Sequence, residues 1–220
     1  MDISAIEVDL SKLPRDISRK DLEDAILDAA PRKWLHNPKL RDGQAELEFR
    51  QRRRQEARSQ RALALASAYR TALNNIRSAR NSSLAVGRIH ADGLDRAIGH
   101  EVPGSGCFMA PPADWQAVIL ADVIEIVLSG HQSPITVKAA LWKLRQRRWI
   151  NPRFSRLSEA DAHEIKSAVS EFDLPAGAIL TWAAILSRLS ILVPVLGDRW
   201  ILHPMIISQV YATRSANKLK

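Results

Sequence analysis

Cysteine is almost missing from this chain: Cys107 stands alone in 220 residues. A single thiol can form no internal disulfide and no cysteine-based zinc site, which fits a reducing, cytoplasmic setting. Glycine-rich loops ending in lysine and serine or threonine are missing too, and with them P-loop phosphate chemistry. No secretory signal is expected, because Met1 to Leu13 carries acids at Asp2, Glu7 and Asp9 and lacks a basic stretch before an apolar core. Long apolar runs are limited to Leu174 to Leu196. Arg188 lies inside that run between Ser187 and Ser190, and Pro194 follows, so a buried helix leading into a strand explains it better than a membrane span. Acid is the scarcer charge. The 24 Asp and Glu against 32 Lys and Arg leave a net charge of +8, which raises the local concentration of polyanions and puts nucleic acid first among partners.

What is present is ordinary globular material. Apolar residues at 46% and charged residues at 25% allow a real core and argue against disorder. Ile6 to Leu10 alternates apolar and acidic residues as a half-buried strand does, and Ser18 caps a helix that Pro31 closes. After Asp42-Gly43, the alternation of Ala45, Leu47 and Phe49 suggests a second short strand or a helix start. This strand, helix, strand opening resembles the first half of a ferredoxin-like RNA-recognition domain. It departs from that pattern at Val8 and Leu10, which stand where base-stacking rings belong.

From about Glu46 to Arg80 neither proline nor glycine interrupts an Ala-, Leu-, Arg- and Gln-rich stretch, which predicts a long helix. Its second half offers Leu65, Tyr69, Ala72, Leu73 and Ile76 on one face. Residues 81–112 hold most of the glycine and proline and read as an irregular linker, with a short helix near Asp92 to Ile98. Beyond it, helices are expected from Asp114 to Gly130, from Ser133-Pro134 to about Trp149, from Ser158 to Phe172, and after Pro175. Ile191, Val193 and Val195 alternate, Gly197-Asp198 supplies a turn, and Trp200 and Leu202 resume the alternation. Helices followed at once by a hairpin are the order of parts in a winged helix-turn-helix.

The fold class expected is therefore mainly α with minor β. Residues 1–80 carry the strand element and a long basic helix, 81–112 form the linker, and 113–220 form a helical bundle with a winged-helix-like hairpin.

Two basic clusters carry the functional expectation. Arg50, Arg52, Arg53, Arg54, Arg58 and Arg61 surround one helix with only Glu56 to balance them. Lys138, Lys143, Arg145, Arg147, Arg148, Arg153 and Arg156 follow one another without an intervening acid. Guanidinium groups meet phosphate oxygens two at a time, and long basic side chains in this layout follow a backbone rather than read bases. Trp142 shares a helical stripe with Lys138 and Arg145. Taken by themselves, Trp142 and Trp149 read as core residues; within the cluster Trp142 is a candidate contact, since an indole ring can stack on an exposed base. Arg199 at the hairpin tip is a further candidate contact.

Chemistry-bearing groups are thin elsewhere. His90, Asp92, Asp95, His100 and Glu101 gather in the irregular segment, but their spacing fits no metal motif. Cys107 lies near His100 without a visible activating base or oxyanion site. The expectation is a non-enzymatic nucleic-acid-binding protein, DNA favoured over RNA, with no cofactor, no metal and no membrane. The alternative is a structural subunit of a nucleoprotein complex that also docks on other protein subunits.

Overall fold

The computed structural model describes residues 38–131, 134–195 and 197–218. The strand expected at 6–10 and the helix expected from Ser18 to Pro31 lie outside the described residues. The chain divides into two compact units, Met1–Arg58 and Ser59–Lys220. Among the described residues are seven α-helices and a small antiparallel sheet. The protein is mainly α with minor β.

Helix α1 runs Pro38–Ser78. It begins before the predicted Glu46 and takes in Asp42-Gly43, so Ala45, Leu47 and Phe49 are helical and form no second strand. One helical glycine costs only about 1 kcal/mol, which the strong helix formers around it override. From Ser59 onward α1 buries Ala62, Ala66, Tyr69, Leu73 and Ile76, at alternating intervals of four and three that make one helical stripe. They pack with Cys107, Phe154, Ile165, Val169 and Phe172 into one apolar cluster.

The stretch 81–112 is not a linker between halves. It holds helix α2, Leu84–Ala91, and two single 3₁₀ turns, Asp95–Ala97 and Ser105–Cys107. Ile89, Leu94, Ala97, Val102 and Phe108 join the larger of the two cores. Its glycines terminate and turn rather than loosen the chain. Gly93 and Gly104 take left-handed φ angles of +70° and +87°, and a Cβ at Gly106 would stand 2.7 Å from the Tyr69 ring.

Helix α3, Pro112–Leu128, starts with proline at its first turn. Asp114 lies inside that turn instead of capping it. Its buried carboxylate accepts hydrogen bonds from the Ser82 and Ser83 amides at 2.9 and 3.0 Å, which ties the entry of α2 to the start of α3. Strand β1, Ile135–Thr136, precedes α4, Val137–Gln146, so Ile135 begins a strand rather than the predicted helix. Thr136 caps α4 by accepting from the Ala139 amide. Helix α5, Glu159–Ala168, opens on a reciprocal capping box between Ser158 and Asp161, as the sequence indicates. Helix α6 spans Pro175–Arg188. Among the described residues no helix is long and apolar enough to cross a membrane.

The predicted hairpin is present as β2, Leu192–Pro194, and β3, Arg199–Leu202. Sheet order is β1-β3-β2, all antiparallel, with Ile135 opposite Trp200 and Leu192 opposite Leu202. Pro194 sits on the edge strand, where its missing N–H is harmless. Ile191 and Leu192 are both buried, Val193 is half-buried, and Pro194 and Val195 are exposed, so the expected alternation of 191, 193 and 195 is not kept. Helix α7, Pro204–Lys218, follows the hairpin and was not expected. It buries Ile206 and Val210. Arg214 reaches the buried Asp92 through two hydrogen bonds of 2.7 and 2.8 Å and also pairs with Glu125.

Two stability measurements test this account. Asp114→Ala removes the acceptor of the Ser82 and Ser83 amides and is expected to lower urea-unfolding stability by about 1–3 kcal/mol. Burial pushes the Tyr69 phenol from its ordinary 10 up to about 12. Its contribution is complete below pH 10, where both states hold the proton. It falls as the pH rises towards 12, because the unfolded phenol ionises first. Tyr69→Phe is expected to flatten that alkaline slope and to cost about 1 kcal/mol at neutral pH.

Candidate nucleic-acid interface

The predicted basic cluster of the first unit lies on α1. Arg50, Arg52, Arg53, Arg54 and Arg58 are exposed there. Arg52 approaches Glu48 at 3.9 Å, and the Arg53 guanidinium lies 5.8 Å over the Phe49 ring. Arg61, in the second unit, is exposed beside the buried stripe that starts at Ala62.

Within the second unit the sequence cluster 138–156 is sorted into different environments. Helix α4 turns Val137, Ala140 and Leu144 into the core. Lys138, Trp142 and Arg145 line the opposite stripe and are all exposed. Trp142, which reads as a core residue by itself and as a candidate contact within the basic stripe, is 63% exposed, because its position falls between the buried ones. Trp149 is half-buried, with the Arg147 guanidinium stacked 5.3 Å above its ring. Lys143 turns the other way and forms an ion pair with Asp122 of α3, so its charge is largely neutralised. The sheet brings Arg199, exposed, directly across from Thr136 at the start of α4.

The end of α4 shapes the site. The Trp149 amide donates to the Leu144 carbonyl at 2.9 Å and the Arg148 amide to the Arg145 carbonyl at 2.9 Å. This is a Schellman closure with Arg148 in the left-handed position, φ +56°. Helices α2 and α3 close in the same way on Gly93 and Gly130, and α6 on Ser190. A bulky side chain at that position costs about 1 kcal/mol relative to glycine.

The chain then runs antiparallel to 107–109. Met109 donates its amide to the Trp149 carbonyl at 2.7 Å, and Asn151 donates to the Cys107 carbonyl at 2.9 Å. Asn151 also accepts from the Arg153 amide, a turn-forming role, and Phe154 plugs the loop into the core between Tyr69 and Phe172.

Between these two segments opens a cleft of about 680 Å³, lined by Met109, Arg145, Arg148, Ile150, Pro152, Ser155 and Arg156. Three guanidinium groups surround it and no acid lines it. Among the described residues no ion pair engages Arg145, Arg148, Arg153 or Arg156. Met109, 61% exposed, is the member that sequence reasoning missed. It lies 36 positions before Arg145 in a stretch with no basic or aromatic pattern.

A smaller, polar cleft of about 360 Å³ lies on the other side of the same turn, where Arg88 and Arg147 face Ser82 and Asp122. The turn 147–149 therefore separates two basic hollows.

The titratable residues of 90–107 are placed in structural pairs. His90 contacts Asp95, Glu101 pairs with Arg77, and Asp92 holds Arg214. His100 donates from Nε2 to the Arg96 carbonyl. The buried Cys107 thiol donates to the Asp173 carbonyl at 3.2 Å, and burial pushes it well above the usual thiol range. Among the described residues no three of these side chain types gather closely enough to hold a metal ion.

Comparison of the chain with protein-family models, with curated proteins and with solved structures returned no match.

Arg148→Gly relieves the left-handed strain and is expected to raise stability by about 1 kcal/mol, read as a higher thermal midpoint.

Proposed function

We propose that the chain binds nucleic acid, DNA in the first place, through phosphate-backbone contacts, and that it does so without catalysing a reaction. The observation that carries this reading is a group of exposed arginines without an acidic partner: Arg145, Arg148 and Arg156 line one cleft, and Arg153 stands on the same loop as Arg156. Like charges held this close repel one another unless an anion sits between them. Planar guanidinium groups suit phosphate oxygens in particular, since each can offer two N–H donors in parallel. Lys138 and Arg199 extend the basic surface to the start of α4. The exposed arginines of α1 in residues 50–58 supply a further basic face with the same chemistry. Helix α6, the last helix before the hairpin, points Leu180, Ala184 and Arg188 outwards and has no basic stripe. That favours backbone contact from α4 over base reading by α6.

A second reading, a subunit that braces nucleic acid within a larger assembly, draws on exposed apolar side chains. Leu63, Leu84 and Met205 are 62%, 84% and 73% exposed. Such residues suit a protein partner better than a phosphate.

Fluorescence anisotropy of the purified protein with labelled duplex DNA, single-stranded DNA and RNA across a salt series tests the proposal. Affinity is expected to fall steeply with salt, with a log–log slope of about 0.9 per phosphate neutralised on duplex. Replacing Arg145, Arg148 and Arg156 together by alanine should lower that slope by about 2–3 and weaken all sequences alike. A separate alanine variant of Arg50, Arg52, Arg53, Arg54 and Arg58 should weaken binding in the same sequence-independent way. Absence of binding at low salt overturns the reading. Weak binding that tightens when a co-purifying protein is added favours the subunit reading.

A further inference from the structure

We infer that the cleft beside α4 takes an unpaired nucleotide, with Trp142 as the stacking platform for a base and Arg145, Arg148 and Arg156 as the cradle for its phosphates. The inference rests on the nucleic-acid reading above and names the strand form that this surface selects.

Three observations converge. The first is Trp142. Its indole stands out from α4 one turn from Arg145, with their Cβ atoms about 5–6 Å apart, on the stripe that Lys138 completes. A phosphate backbone gives an indole ring nothing to pair with, because sugar and phosphate are wet and anionic. The face of an unpaired base gives it a stacking partner, whereas in a duplex that face is covered by its neighbours.

The second is the composition of the cleft. Met109, Ile150 and Pro152 line it together with Arg145, Arg148 and Arg156, and Trp142 stands outside this lining, one helical turn from Arg145. A site for phosphate alone needs no apolar lining. A site for a nucleotide needs both, since one end of the ligand is a flat, weakly polar ring and the other is an anion.

The third is Arg148 itself. Of the four helices that close on a left-handed residue, two use glycine and one uses serine. Only α4 keeps a long charged side chain there, at a conformation disfavoured for any residue with a Cβ. Strain retained at one position, where the side chain enters a cleft of uncompensated charge, is the pattern expected of a ligand contact.

The test compares a labelled single-stranded oligodeoxynucleotide with its blunt duplex, using full-length protein and anisotropy at fixed salt, with a thermal melt for every variant. The single strand is expected to bind at least tenfold tighter than the duplex. Trp142→Ala should weaken single-strand binding by roughly 5- to 100-fold, the range for one lost base stack, and leave duplex binding unchanged. Trp142→Phe, which keeps a ring, should recover most of the loss. Arg148→Gly should weaken single-strand binding while its thermal midpoint stays level or rises, a combination that a merely structural arginine would not produce. Duplex binding equal to or tighter than single-strand binding, with Trp142→Ala inert, overturns this inference and leaves the nucleic-acid reading standing. Failure of the unmodified protein to bind either strand form at low salt overturns both.

Discussion

The phenol ring of Tyr69 is where the second unit is knotted together. It lies flat enough against Gly106 that no side chain could be added there, and it meets Phe154 and Phe172 edge-on at 5.9 and 5.1 Å. Its hydroxyl donates to the Glu171 carbonyl at 2.9 Å and accepts from the Gly104 amide at 3.2 Å. One side chain thus joins the second half of α1, the glycine-rich segment 102–108, the loop that carries Phe154, and the chain leaving α5. Burying so large a ring is worth about 1.5–3 kcal/mol before its hydrogen bonds are counted. The loop it anchors through Phe154 is the loop that presents Arg153 and Arg156, so the candidate site inherits its rigidity from this packing.

Electrostatics on the molecule divides into charges that the fold neutralises and charges that it leaves standing. Arg77 pairs with Glu101, Arg214 with Asp92 and Glu125, and Lys143 with Asp122. Arg70 donates to the Ala168 carbonyl at the end of α5. These basic groups serve the structure. Arg145, Arg148, Arg153 and Arg156 share no such partner among the described residues, although Lys143, two positions before Arg145, does. The fold of the second unit thus leaves one short stretch of surface, around the cleft beside α4, with arginines that no acid balances.

The turn that ends α4 sets backbone strain against side-chain placement at a single residue. Glycine would close this helix with less strain, as it does for α2 and α3. Arginine at that place brings a guanidinium to the mouth of the cleft at the expense of about 1 kcal/mol. The neighbouring bridge from Met109 and Cys107 to Trp149 and Asn151 holds the turn in position from the other side. Rigid backbone on both flanks lets a strained residue persist.

Much of the fold was legible in the sequence because helix ends and hairpin turns are written locally. The Ser158–Asp161 box, the prolines opening α3 and α6, Gly130 closing α3 and the Gly197 turn each act within four or five residues, the reach of one backbone hydrogen bond. The basic cluster itself was equally plain, since composition needs no geometry. Other features could not be read that way. Residues 81–112 look like a linker by composition and prove to be core, because glycines placed for close approach to Tyr69 are the same letters as glycines in a loose loop. The seventh helix, the turning of Lys143 towards Asp122, the outward face of Trp142 and the meeting of Met109 with Arg145 all depend on which elements pack together. The sequence by itself determined where most of the helices would lie and that basic residues would cluster. Only the tertiary structure decided which arginines stay unpaired and what they surround, because ion pairs and clefts form between residues tens of positions apart, at distances that packing alone sets.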